Sequence, residues 1–184
     1  MITKIIAYLA GAAVLAAAVA TAACASASAT TPAANTGKDT THLIVYSINS
    51  DGPHFRALAT GALGDYGPGV TVLPNGKVDP ARVSELELNL SHGSLRLSIT
   101  GIHADLVRDH SHWTWNTANC SGSVKFTATV PVVPGSGTGA YRGITGRFAM
   151  TVTIDEVDIK PVCNGTSGFL SQIIVMDGIG TVRY

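Results

Sequence analysis

Apolar and polar residues alternate with period two along several stretches of the chain, the pattern of strands that bury one face. Over residues 83–90, Leu86, Leu88 and Leu90 fall on one side, and Glu85, Glu87 and Asn89 on the other. Ser91-His92-Gly93-Ser94 then permits a turn, after which Leu95, Leu97 and Ile99 oppose Arg96, Ser98 and Thr100. Two alternating runs joined by a short glycine-containing link predict a β-hairpin. The pattern returns at 124–132, where Val124, Phe126, Ala128, Val130 and Val132 oppose Lys125, Thr127 and Thr129. It returns again at 148–154, with Phe148, Met150, Val152 and Ile154 on one side. Val157 and Ile159 take the other parity, which predicts a β-bulge around Asp155 and Glu156. Further strands are predicted over 43–48, 55–63, 169–176 and 179–184, with turns at Pro68-Gly69, Asn75-Gly76, Asn164-Gly165 and Asp177-Gly178.

Past residue 29 no window carries the 3.6-residue period of an amphipathic helix. About eight short strands predict an all-β domain, either a sandwich or a barrel. Pattern does not choose between them, but an antiparallel barrel leaves no exposed edge. The composition agrees: only 13% of the 184 residues are charged, and glycine and β-branched residues are plentiful. Twelve basic residues balance twelve acidic ones, which argues against a nucleic-acid partner, because phosphate binding needs an excess of Lys and Arg.

The amino terminus changes the picture. Lys4 precedes an uncharged Ala/Leu/Val/Ile run over 5–23, and a small-residue stretch follows over 22–29. That order predicts a secretory signal spanning 1–29, with cleavage after Ala27-Ser28-Ala29 and a secreted product. Thr21-Ala22-Ala23-Cys24 alternatively resembles a permissive bacterial lipobox, which would lipidate Cys24 and hold the protein at a membrane. A Ser/Thr/Ala-rich linker over 30–41 then leads to one domain over 42–184. With Cys24 removed or lipidated, Cys120 and Cys163 form an even pair, which in an exported protein predicts a disulfide.

The stretch Gly135-Ser136-Gly137-Thr138-Gly139-Ala140-Tyr141-Arg142-Gly143-Ile144-Thr145-Gly146 is the most distinctive. Gly135, Gly137 and Ala140 fit the dinucleotide fingerprint, but the β-branched residues that follow do not open the helix this motif requires. Thr138-Gly139-x-Tyr141-x-Gly143-x-x-Gly146, entering a long strand, instead resembles the glycine-rich turn of the allene oxide cyclase and dirigent barrel families. It is most similar to secreted actinobacterial proteins carrying that barrel-like domain. Phe55-Arg56-Ala57-Leu58-Ala59-Thr60-Gly61, the hairpin around Leu90-Ser91-His92-Gly93-Ser94-Leu95, the Cys120 strand and Gly178-Ile179-Gly180-Thr181-Val182 carry the rest of the resemblance. It implies an antiparallel eight-stranded β-barrel with a central cavity, often trimeric. The family's catalytic residues have no matching motif here, so the resemblance carries fold rather than activity. Tyr141 is expected to plug a barrel end with its hydroxyl in water.

The densest polar and aromatic cluster runs over 103–115 and contains His103, Asp105, Asp109, His110, His112, Trp113 and Trp115. His110 and His112 would share a face of a strand, yet the spacing matches no recognised metal signature, so no metal or cofactor is expected. The cluster reads instead as the rim of a cavity for a small apolar ligand, with His103, Asp105, His110, His112, Trp113, Trp115 and Tyr141 as candidate lining. Glu85 and Glu87 read as a solvated outer face rather than an acid–base pair, and no G-x-S-x-G motif accompanies the serines. Three functions follow. The first is a ligand-binding exported barrel without enzymatic activity. The second is a cyclase or isomerase, or a dirigent-like guide of stereochemistry. The third is a structural or interaction protein of the cell envelope. Catalytic residues stay unassigned, and homo-oligomerisation is compatible with all three.

Overall fold

The structure, a computed structural model, describes residues 39–48, 53–79, 84–108, 113–163 and 168–184. The signal segment, Cys24, most of the linker and the Asn164-Gly165 turn lie outside the described residues.

The described chain is all-β apart from one short helix and a single 3-10 turn. Its strands are β1 (Asp39–Ser47), β2 (His54–Gly61), β3 (Asp65–Val72), β4 (Glu85–Leu90) and β5 (Gly93–Ser98). Then come helix α1 (Thr100–Arg108), β6 (Thr114–Asn116), β7 (Ser121–Pro131), the 3-10 turn Gly139–Tyr141, β8 (Thr145–Asp158) and β9 (Phe169–Arg183). All nine strands belong to one curled antiparallel sheet, in the order β5-β4-β3-β2-β1-β9-β8-β7-β6.

The β5 end of this sheet is not bare. The chain leaving β7 runs antiparallel beside it, with Leu97 bridging Val132. Val133 N–H donates to the Arg96 carbonyl at 2.8 Å, Thr138 N–H to Ser94 at 2.9 Å and Ala140 N–H to His92 at 2.9 Å. Strand β7 therefore pairs with β8 along one side, while its continuation satisfies the backbone of β5. Alternation then decides the core. Leu43, Val45, Leu86, Leu88, Leu95, Leu97, Phe148, Met150 and Val152 share the inward face and are almost fully buried. Each such side chain contributes about 1.5–3 kcal/mol of burial.

The hairpin predicted across Ser91-His92-Gly93-Ser94 is present, with Leu90 paired to Gly93. Four expectations are corrected. Pro68-Gly69 sits inside β3 rather than in a turn, because Gly69 faces inward against Leu88 and Phe55. Asp177-Gly178 does not divide two strands. Asp177 points outward onto His42, and Gly178 passes too close to Ala149 and Met150 for any Cβ. A helix does form over Thr100–Arg108; among its described side chains the inward anchors are buried Ile102 and half-buried Leu106, one turn apart. Two anchors are too few to show as a periodicity. Finally, the strand count is nine rather than eight: β3 and the three-residue β6 are added, and the last two predicted strands are one.

Glu85 and Glu87 lie on the outer face as expected, but are not simply solvated. Arg96 Nε donates to Glu87 at 2.8 Å and its Nη1 to Glu85 at 3.4 Å.

Candidate functional site

The two ends of the inward face differ. At one end the glycine-rich turn seals it. Tyr141 is 1% exposed, packs edge-on against Tyr184 at 5.4 Å, and accepts from the buried Ile144 N–H through its carbonyl at 3.0 Å. Its hydroxyl is not in water. It donates to the Asp65 carboxylate at 2.5 Å. Asp65 also accepts from the Ser91 hydroxyl and from the backbone N–H groups of Tyr66 at 2.7 Å, Ser91 at 3.1 Å and His92 at 3.0 Å. Burial by itself would raise the Asp65 pKa. The bonds from Ser91, Tyr141, His92 and Tyr66 outweigh it and hold the carboxyl well below the usual carboxylate range. Burial, and then the hydrogen bond to Asp65 and the charge of that carboxylate, push the Tyr141 phenol far above its ordinary value. A carboxylate with this many donors has little capacity left for a ligand, so Asp65 and Tyr141 form a latch rather than a reaction centre. Gly139 makes the latch possible. Its φ is +57°, and a Cβ there would stand 2.4 Å from the His92 carbonyl oxygen.

The other end of the inward face is only partly covered. Met150, Val152 and Ile154 are buried on β8 and Val124 on β7, but Ile174, Gln172 and Trp115 towards this end are only half-buried. Trp113 and Trp115 stack there with ring centroids 5.1 Å apart and planes 17° apart. Trp113 packs against the core. Trp115 pairs with Gly122, and Gly122 pairs with Glu156, so all three positions share a face. A Cβ on Gly122 would stand 2.4 Å from the Trp115 ring. The missing side chain is what lets the indole lie across β7 towards Glu156.

The parity of β8 carries a further correction. No bulge interrupts it at Asp155 and Glu156. The even positions stay inward, so Glu156 and Asp158 continue the buried row of Phe148 to Ile154, and Val157 points outward. The register shift instead falls between Val157 and Asp158, with Leu170 as the extra residue of β9. Gln172 Nε2 donates to Glu156 at 2.5 Å. Burial raises the Glu156 pKa. The Gln172 bond opposes that, and the charge of Asp158 and a hydrogen bond with it add to the rise. The end of the sheet therefore holds two inward carboxyl groups, one of them with a raised pKa. Cys120, buried beside them, accepts from Asp158 N–H at 2.8 Å through its carbonyl and is bonded to Cys163. The disulfide thus ties the β6–β7 turn to the chain leaving β8. A groove of about 500 Å³ crosses the outer side of the same strands, walled by Thr114, Ser123, Asp155 and Ile173.

Of the residues predicted to line a ligand cavity, the structure brings Trp113 and Trp115 together at this partly covered end. His103 is exposed and Asp105 half-buried on α1. Tyr141 lies at the opposite, sealed end, since β8 pairs Glu156 with Gly122 at one extreme and Arg147 with Pro131 at the other. His110 and His112 lie outside the described residues. Among the described residues, no three His, Cys, Asp or Glu side chains group as a metal site, and no helix is long and apolar enough to cross a membrane. Glu156, Asp158 and Gln172 were not singled out by sequence reasoning. The available signal was the unbroken even parity from Phe148 to Asp158, hidden by the assumption that charged residues face water. Comparison with known protein families, with curated proteins and with solved structures finds no match to this chain.

Proposed function

We propose that this chain is an exported β-barrel protein that binds a small, largely apolar molecule at the Trp113–Trp115 end of its inward face. The observation that carries this reading is the contrast in exposure: the inward row is sealed by Tyr141 at one end and half-open at the other, the end that holds two stacked indoles and the Glu156–Gln172 pair. Indoles supply apolar contact, and a carboxyl beside an amide supplies hydrogen-bonding points. This is the usual make-up of a small-molecule site. Barrel closure is supported by the bonds that join β5 to the chain leaving β7. An antiparallel barrel related to the allene oxide cyclase and dirigent families is the fold reading that the Thr138-to-Gly146 turn suggests. Export is supported by the signal-like 1–29 segment and by the Cys120–Cys163 bridge, which forms in oxidising compartments.

Isothermal titration with 4-propylphenol and with decanoic acid tests the binding. Saturable heat with either probe, weakened at least tenfold by Trp115→Ala, is expected. Flat heats with both probes in the unsubstituted protein would overturn the reading. An isomerase is the second reading, favoured by the Glu156–Asp158 pair, because a carboxyl with a raised pKa can pass a proton to and from a bound substrate. It requires that Glu156→Gln abolish turnover while leaving probe binding in place.

A further inference from the structure

The sealed end carries an unbalanced positive charge on its outer side. Arg147 of β8 lies opposite Thr181 of β9, and Arg183 of β9 lies opposite Thr145 of β8. Both arginines are exposed, on the face opposite buried Phe148 and Val182. They are therefore diagonal neighbours, about 7–8 Å apart at the backbone, a spacing at which like charges repel. Arg142, also exposed, follows Tyr141, whose ring packs on Tyr184 next to Arg183. Among the described residues, the ion pairs engage none of these three arginines. Asp65, the acid buried at this end, is spent on the latch. The chain that enters here brings no acid of its own. Strand β1 starts at this end, with Asp39 opposite Val182. Lys38 stands next to Asp39 in the sequence, and residues 1–38 contain no Asp or Glu.

Arg147 also walls a groove of about 270 Å³ on the outer side, with Thr40, Thr129, Ile179 and Thr181. The short side chain of Ala149, paired to Thr129 on one side and to Ile179 on the other, makes the hollow. A guanidinium can hold a phosphate through two parallel hydrogen bonds, and threonine hydroxyls beside it can donate more. Ile179, 59% exposed, offers apolar contact to the carbon that bears the phosphate.

We propose that this end docks on an anionic phospholipid surface, with a headgroup phosphate in the Arg147 groove and Arg142 and Arg183 facing the headgroups around it. A lipid surface fits better than a nucleic acid. Twelve basic residues balance twelve acidic ones over the chain, so positive charge is gathered at one end rather than in excess, which orients a molecule against a plane. The segment read as a secretory signal or lipobox brings the chain to a membrane, and it joins the domain at this end. The proposal rests on the export reading for its membrane and is independent of the Trp113–Trp115 site.

Co-sedimentation with vesicles tests this on protein exported as the Cys24→Ala variant, so that no lipid is attached. Binding is expected to vesicles of phosphatidylglycerol mixed with phosphatidylcholine, and not to phosphatidylcholine alone. Arg142→Gln, Arg147→Gln and Arg183→Gln should each weaken it about fivefold, and the triple substitution roughly a hundredfold, the effect of basic residues near an anionic surface. Lys125→Gln removes an exposed charge from β7 opposite Thr153, away from this end, and should leave binding unchanged. No binding to the mixed vesicles, equal binding to both kinds, a triple variant that binds like the parent, Lys125→Gln weakening binding as much as Arg147→Gln, or a short DNA duplex held as tightly as the vesicles would each overturn the proposal. None of the substituted arginines lies at the indole end, so a blank vesicle result and a blank ligand titration are read separately.

Discussion

Tyr141 serves this fold as a donor as well as a buried ring. Its hydroxyl is one of several donors to a carboxylate that has no water around it, so its removal leaves Asp65 under-satisfied. Tyr141→Phe should lower stability by about 1–3 kcal/mol in urea unfolding, the cost of a buried charged group losing a donor. The two perturbed carboxyls then act with opposite signs. Asp65 has a depressed folded pKa. Its contribution is full above the unfolded value of about 3.9 and is lost as the pH falls towards the folded one. Glu156 has a raised folded pKa. Its protonated form is favoured by folding below the unfolded value of about 4.3, and that advantage is lost as the pH rises through the folded value. Urea midpoints measured across pH should therefore show Glu156→Gln gaining on the unsubstituted protein as the pH rises from about 4. Asp65→Asn should lose its deficit as the pH falls below about 4. A Glu156→Gln difference that is constant with pH would show the carboxyl to be unperturbed.

At the scale of elements, the glycine-rich turn is a steric device. Gly139 and Gly143 both have positive φ, but only Gly139 faces a wall, the His92 carbonyl, while a Cβ at Gly143 meets nothing within 4 Å. Gly143→Ala should cost about 1–2 kcal/mol, the backbone penalty alone. Gly139→Ala should cost clearly more in the same denaturation series, because the turn must also retreat from β5. The strands themselves were legible wherever one face is leucine or valine and the other polar, as in β4, β5, β7 and the first half of β8. Legibility failed where a residue's local preference was overruled by its neighbours. Pro68-Gly69 and Asp177-Gly178 read as turns, yet each lies in a strand where glycine meets a crowded inner face. Trp113 and Trp115 were found because aromatic residues at alternate positions are conspicuous. Glu156, Asp158 and Gln172 were missed because a buried carboxyl looks like a surface one until its strand's parity is followed to the end.

At the scale of the whole molecule, the sheet is long in sequence separation: β1 lies between β2 and β9, and β5 is satisfied by the chain beyond β7. The Cys120–Cys163 bridge spans 43 residues and fastens the end where three strands extend past the others. Reduction should lower stability by about 4 kcal/mol on the chain-entropy account. Unfolding curves with and without reductant check this, and superimposable curves would show that the bridge fastens nothing. The same view separates the roles of the two ends: the Asp65–Tyr141 latch closes one, and the indole pair, the carboxyl pair and the disulfide furnish the other.

The most direct measurement of that division is a nuclear magnetic resonance titration with 4-propylphenol, followed at the two indole N–H signals and along the backbone. The account predicts that both indole signals and the amides of Gln172 and Ile174 shift together and saturate, while those of Tyr66, Tyr141 and Val182 stay in place. Saturable shifts centred on Tyr141, with the indole signals unmoved, would contradict it.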